Sequence, residues 1–279
     1  MKLNIPSSNE EIRLSYATKE DPLLKRLFIN SIELATGRRK FEKIYQEIID
    51  QDLKGAAIWT YALQRLGIAM DYSDRQLAKI PKKGPVVFIA NHPFGVVDGI
   101  MICHLVSSVR PDFFVLVNSV LCQESRIGKH FLPIDFEPTK VAMKNNILSR
   151  QLAMEKISND EAMVIFPAGG VATSKKIVGK AEDLEWKRFV IKIIHKTQAT
   201  VIPMFFHGQN SKLFQLASHI HLNFRLGLLL HEIKNKMGKT LKVDIGDPIP
   251  YETLSSFKNR QALLDHLREI TFQLGHQSK

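Results

Sequence analysis

The chain has 279 residues, 44% of them apolar and 24% charged, which suits one large globular domain and excludes a disordered or fibrous chain. Its net charge of +11 attracts polyanions: nucleic acid, anionic lipid headgroups or an acidic carrier protein. Two cysteines, Cys103 and Cys122, without a Cys-x-x-Cys motif, supply no disulfide framework and suit a reducing compartment.

The opening stretch MKLNIPSSNEEIRLSYATKEDP lacks the apolar run of a secretory signal. No segment approaches the ~18 consecutive apolar residues of a spanning helix, so contact with a membrane is expected at its surface. Asp21 and Pro22 read as an N-cap and a first helical position. Leu24, Leu27, Phe28 and Ile32 follow at helical spacing, and Gly37 fits a C-cap. A second helix carries Phe41, Ile44, Tyr45, Ile48 and Ile49, and a third covers 56–67. This cation-rich front section, 1–80, is expected to be helical. Its apolar faces suit either packing on the core or an amphipathic platform on lipid.

From Pro85 the texture changes. PVVFIAN is a continuous β-branched run and reads as a buried strand. Further strands are expected at 113–118, 162–167, 199–206 and 241–249, with helical patterns between them and a last helix at 259–274. Alternating strands and helices predict an α/β sheet covered on both faces, over a domain of 81–255 followed by a helix and tail, 256–279.

The sharpest feature is FIANHPFGVVDGIM. Asn91 and His92 stand where a strand ends, at the edge where open α/β sheets place their sites. Pro93 and Gly95 force a turn, and Asp98 follows close enough to return to the imidazole. An aspartate there fixes the ring's tautomer and stabilises the imidazolium, which is a general-base arrangement. No Gly-x-Ser-x-Gly elbow occurs, so the expected nucleophile is a substrate hydroxyl. A second feature, VIFPAGGVATS, is a strand-to-turn junction. It reads either as a plain turn or as a nest of backbone N–H groups for a phosphate or oxyanion.

The NHPFGVVDG stretch resembles the first motif of the glycerolipid (lysophosphatidic acid) acyltransferase superfamily. There, Asn-His usually precedes Asp with four residues between; here five intervene, as in the hemolysin-like or ornithine-lipid-type branch. VIFPAGG resembles that family's Phe-Pro-Glu-Gly motif, with Phe166, Pro167 and Gly169 matching and Ala168 in place of the glutamate. TVIPMFFHGQNS resembles its last motif, with Pro203 central. The resemblance spans about residues 20–255. It implies a glycerol-3-phosphate acyltransferase-like fold, α/β with a mostly parallel or mixed central sheet flanked by helices, preceded by amphipathic helices.

It also implies an activity: transfer of a fatty acyl chain from acyl-CoA or an acyl carrier protein to the hydroxyl of a lysophospholipid or lyso-aminolipid. His92 is then the base and Asp98 its orienter. Asn91, Phe94, Gly95, Phe166, Pro167, Ala168, Gly169, Gly170, Pro203, His207 and Asn210 become candidate substrate-binding residues. Arg126 (or Lys129) is the candidate for an anion-binding role, and the N–H groups near Gly169 and Gly170 for an oxyanion hole. His207 also fits a polar wall, and Ser211 a headgroup contact. No metal or bound cofactor is expected: His219 and His221, or Cys103 and His104, lack zinc spacing. The expected location is cytoplasmic, peripheral on the inner face of the cell membrane.

Three rivals follow from the same residues. One is a nucleic-acid module, motivated by the +11 charge, although no nucleic-acid motif appears and the cations are spread along the chain. A silent lipid-binding protein is another. The third is a thioester hydrolase on the same fold, with water replacing the alcohol.

Overall fold

The computed structural model describes residues 38–119, 130–134, 139–176, 179–220, 225 and 228–277, preceded by Leu23, Arg26, Leu27 and Ser31. Most of the expected first helix, Gly37, Cys122, Arg126 and Lys129 lie outside these residues.

Two helices come first, α1 (Arg38–Asp50) and α2 (Ala56–Leu66), then β1 (Ala69–Asp71) and α3 (Asp74–Leu77). The expected helical front section therefore also contributes a strand. Next come β2 (Val86–Ala90), α4 (Val96–Val109), β3 (Phe113–Asn118), β4 (Phe131–Ile134) and α5 (Lys140–Ser158). β5 (Ala162–Ile165) leads into a small hairpin, β6 (Thr173–Ser174) and β7 (Ala181–Glu182). The remainder is α6 (Phe189–Thr197), β8 (Thr200–Phe206), α7 (Lys212–Ile220), α8 (Leu229–Lys236), β9 (Thr240–Ile245), α9 (Tyr251–Ser255) and α10 (Arg260–Gln277).

Seven strands form one mixed sheet in the order β1-β9-β8-β2-β5-β3-β4. Five neighbouring strands, from β8 to β4, run parallel; β9 is antiparallel to β8, and β1 is parallel to β9. β2 is buried along its whole length because both of its faces are covered. Val86, Phe88 and Ala90 face the layer of α1, α2 and α4. Val87 and Ile89 face the layer of α5, α6 and α10. Alternation along one strand thus feeds two cores, and cutting Phe88 to alanine would cost about 3–5 kcal/mol.

The apolar stripe of α1 resolves the choice left open for the front helices. Phe41, Ile44 and Ile48 are buried in the first core with Trp59 and Leu63 of α2. These two helices pack on the protein rather than presenting that stripe outward.

Connections fix which edge of the sheet carries chemistry. β2 is followed by a strand two places to one side, while β8 returns on its other side. The ends of β2, β5 and β8 therefore meet at a switch point, where the chain leaves the sheet in opposite directions.

Candidate active site

His92 lies two residues beyond β2. Gly95, with φ +88°, turns the chain there and serves as the N-cap of α4. A side chain at this position would be strained, and its Cβ would meet Leu229 at 3.0 Å and Val171 at 3.1 Å. Asp98 stands three residues later, where an acidic side chain can reach back to the helix start. Its Oδ2 accepts hydrogen bonds from the Phe94 N–H (2.8 Å) and the Gly95 N–H (3.2 Å). Its Oδ1 faces His92 Nδ1 at 3.0 Å, off the line of a ring N–H. One carboxylate oxygen thus builds the helix start and the other faces the imidazole. Asp98 is sealed at 0% exposure, while 17% of the His92 side chain meets solvent. Since Nδ1 is buried, the nitrogen left for a substrate is Nε2.

The segment after β5 wraps around this histidine. Phe166 stacks on the imidazole, with ring centroids 4.0 Å apart and planes 22° from parallel. The Ala172 N–H donates to the His92 carbonyl at 2.7 Å. The hairpin of β6 and β7 then returns Asp183, whose Oδ1 accepts the His92 backbone N–H at 3.0 Å. Its Oδ2 accepts the Trp186 indole N–H at 3.0 Å. Burial pushes the Asp183 carboxyl above the ordinary carboxylate range, against the opposing pull of these two hydrogen bonds. Both backbone polar groups of His92 are therefore held by one excursion of the chain, and its ring is held by the same excursion and by Asp98.

The sequence model of the acyltransferase family matches residues 52–277. The chain belongs to the acyltransferase family. Two relatives are lyso-glycine lipid O-acyltransferases. That of Phocaeicola vulgatus is 27% identical over 209 residues, covering 71% of each chain. That of Bacteroides thetaiotaomicron is 27% identical over 206 residues, covering 71% of this chain and 73% of its own. Among solved structures, the 1-acyl-sn-glycerophosphate (LPA) acyltransferase PlsC of Thermotoga maritima superposes with a TM-score of 0.53 at 16% identity, over 92% of this chain and 95% of its own. That likeness extends the α/β fold with its mixed central sheet to the acyltransferase as a whole.

Several residues expected to bind substrate have other work in this acyltransferase. Asn91 holds backbone. Its Nδ2 donates to the Phe206 carbonyl at 2.9 Å and its Oδ1 accepts the Phe206 N–H at 2.7 Å. The amide imitates a backbone pair and stitches the end of β2 to the end of β8. Phe94 is buried, with the Lys236 ammonium 4.9 Å from its ring centroid. Gly208 lies so close to Phe94 that a Cβ there would come within 2.9 Å of the ring. Asn210, also buried, donates to the Phe94 carbonyl at 3.4 Å. Phe94, Gly95 and Asn210 thus shape the loop that carries His92 and Asp98.

Pro203 likewise makes structural contacts. It lies inside the sheet, in register with Ile89, and its ring is packed against Gly246. His207 pairs through Nε2 with Asp244 of β9 and donates its backbone N–H to the Lys242 carbonyl. It is a satisfied histidine on the far side of β8. Ser211 and Lys236 both engage the fully buried Glu232. In the FPAGG turn, Pro167 and Ala168 are buried, and the Gly169 N–H is spent on the Phe166 carbonyl at 2.9 Å. The oxyanion expectation therefore narrows to Gly170, whose N–H has no hydrogen bond among the described residues. Arg126 lies outside those residues.

Asp183 and Trp186 are the site residues that motif reading missed. They stand 91 and 94 positions from His92 and reach it through strands of two residues each, too short for any periodic signal.

Proposed function

We propose that the protein transfers a fatty acyl chain from a thioester, acyl-CoA or an acyl carrier protein, to the hydroxyl of a lysolipid. The observation that carries this reading is the 3.0 Å approach of His92 Nδ1 to the sealed Asp98, which leaves Nε2 to meet a substrate. Membership of the acyltransferase family supports the reaction class. The lyso-glycine lipid O-acyltransferases among the relatives support a lysolipid acceptor.

In this mechanism His92 Nε2 takes the acceptor's hydroxyl proton as the oxygen attacks the thioester carbonyl. Asp98 holds the Nδ1–H tautomer and steadies the imidazolium; such a hydrogen bond straightens in the substrate complex. Phe166 fixes the ring plane. The tetrahedral oxyanion forms near the Gly170 N–H. Its collapse breaks the C–S bond, and the leaving thiolate recovers the proton from His92. The sum is one ester made and one thioester broken, with the proton returned to sulfur. The balance needs no metal and no covalent acyl-enzyme.

The setting proposed is a membrane surface. Among the described residues no helix is long and apolar enough to cross a bilayer. On α5, Met143 and Ile147 are exposed at helical spacing with Lys140 and Lys144, and Val141 is exposed beside them. Apolar side chains flanked by cations suit an anionic interface. Cosedimentation with anionic vesicles tests this, and binding that survives Met143→Glu with Ile147→Glu speaks against it.

The decisive experiment follows products with and without a lysolipid. Wild-type protein should yield the diacylated lipid. His92→Ala should lower the rate by about 10²–10⁴ without changing the melting temperature. Transfer that survives His92→Ala defeats the assignment. Release of free fatty acid at the same rate with or without acceptor makes the protein a hydrolase.

A further inference from the structure

Arg225 lies on the segment between α7 and α8, directly over the FPAGG turn. A Cβ built on Gly170 would stand 3.5 Å from its Nη2 and 3.1 Å from Leu184 Cδ1. Four residues on, Leu229 packs with Val171 and approaches Gly95. Arg225 and Leu229 thus touch the two loops of the site, the one after β5 and the one after β2.

Two other described cations near this edge are engaged. Lys175 pairs with Glu182 at 2.7 Å, and Lys236 lies 3.5 Å from Glu232 and over the Phe94 ring. Arg225, half-buried, has no carboxylate and no hydrogen-bond acceptor among the described residues. Burial lowers its pKa, and no neighbouring carboxylate opposes that shift. A guanidinium stays charged and offers five donors, so holding it half-desolvated and unpaired is costly. That arrangement makes sense where an anion arrives.

We propose that Arg225 is the anion-binding residue of the acceptor subsite, forking onto the carboxylate or phosphate of the lysolipid headgroup. This rests on the reaction proposed above. Distance favours the acceptor over the donor. Gly170 is two residues from Ala172, whose N–H bonds the His92 carbonyl, and two residues span at most about 7 Å. A lysolipid headgroup lies a few bonds from the reacting hydroxyl. The phosphates of a thioester donor lie a whole pantetheine arm from its carbonyl. The flat fork of arginine pairs with either oxyanion.

The test uses three acceptors with one thioester donor: a lysolipid with a free glycine carboxylate, its methyl ester, and a lysolipid phosphate. Arg225→Met should raise the acceptor KM about tenfold to a hundredfold for a charged acceptor. The methyl ester and the donor should keep their wild-type KM values, and Arg225→Lys should recover part of the loss. The charged acceptor that suffers most identifies the headgroup chemistry. Equal losses on charged and neutral acceptors, or a loss confined to the donor, overturn the proposal. Equilibrium binding of the same lipids to His92→Ala and to His92→Ala with Arg225→Met reads the guanidinium without turnover. If wild type acylates no hydroxyl yet charged-lipid binding still depends on Arg225, the reaction fails and this inference stands. If acylation proceeds and binding ignores Arg225, the inference fails alone.

Discussion

The two ends of the sheet hold buried charge in opposite ways. At the end where strands begin, Arg110 is fully buried and its donors are consumed. Its Nε and Nη2 reach the Asp112 carboxylate at 2.9 and 2.7 Å, Nη1 donates to the Pro81 and Gly84 carbonyls at 3.1 and 3.0 Å, and Nη2 also meets the Asp160 carbonyl. At the end where strands finish, several buried groups are left incomplete. Among the described residues, His92 Nδ1 and Asp98 Oδ1 touch without alignment, and neither Asn210 Oδ1 nor the half-buried Arg225 has a hydrogen-bond partner. The satisfied end clamps the starts of β2, β3 and β5. The other end leaves polar atoms of the described residues unpaired around His92.

The sharpest way to break this contrast is to exchange the consequences. Arg110→Met orphans the three carbonyls and the Asp112 carboxylate. It should destabilise the fold by about 3–5 kcal/mol, read from chemical unfolding, while each molecule that remains folded keeps its activity. His92→Ala should do the reverse. If Arg110→Met lowers specific activity as strongly as stability, the two ends are not separable.

Asp98→Asn sharpens the contrast inside the site. The amide oxygen would stay with the Phe94 and Gly95 N–H groups, and the NH2 would then face His92 Nδ1. That forces the proton onto Nε2 and removes the base. The expected loss is about a hundredfold to a thousandfold in kcat/KM, with the α4 cap intact by circular dichroism. Retention of wild-type kcat/KM would show that Asp98 serves the helix alone.

Asp183→Asn is predicted to have a smaller effect. An amide keeps one acceptor for His92 N–H or the Trp186 indole but not both, at about 1 kcal/mol for the bond lost. It also removes a charge that burial disfavours, so the two terms offset and the melting temperature should barely move. The rate should still fall about tenfold through kcat alone, because the backbone of His92 is less firmly placed. Steady-state kinetics and a melting curve on the same sample check both halves.

How far these roles were legible depended on the physical scale of each signal. β2 was readable because burial on both faces makes VVFIA continuously apolar. The His92–Asp98 pair was readable because one helix start carries it within seven residues. β1, three residues reading AMD, has no apolar pattern; its pairing with β9 belongs to the tertiary fold. The backbone mimicry of Asn91 was not legible because it needs Phe206, 115 positions away. His207 looked available because Asp244 reaches it only across the antiparallel pairing of β8 and β9. Motifs thus revealed the residues gathered on one turn of chain. They did not reveal the partners that other segments bring to it.

The smallest expected effect is a difference in pH response between the two ends. Asp112 is held below the ordinary carboxylate range, chiefly by its hydrogen bonds from Arg110, even though burial works the other way. The unfolded chain then binds more protons than the folded one below about pH 3.9. The stabilisation from this pair is full above that pH and is lost as pH falls toward the lowered folded value. Asp183 has the opposite sign. Its folded carboxyl titrates above the unfolded value, so its share of stability is present below about pH 3.9 and is lost as pH rises through the folded value. Unfolding free energy measured against pH should therefore lose an acid-side slope in Arg110→Met and a slope of opposite sign, at higher pH, in Asp183→Asn. Parallel curves for wild type and Asp183→Asn above pH 4 would mean that burial of the Asp183 charge costs the fold nothing, and that the incomplete end is no more strained than the satisfied one.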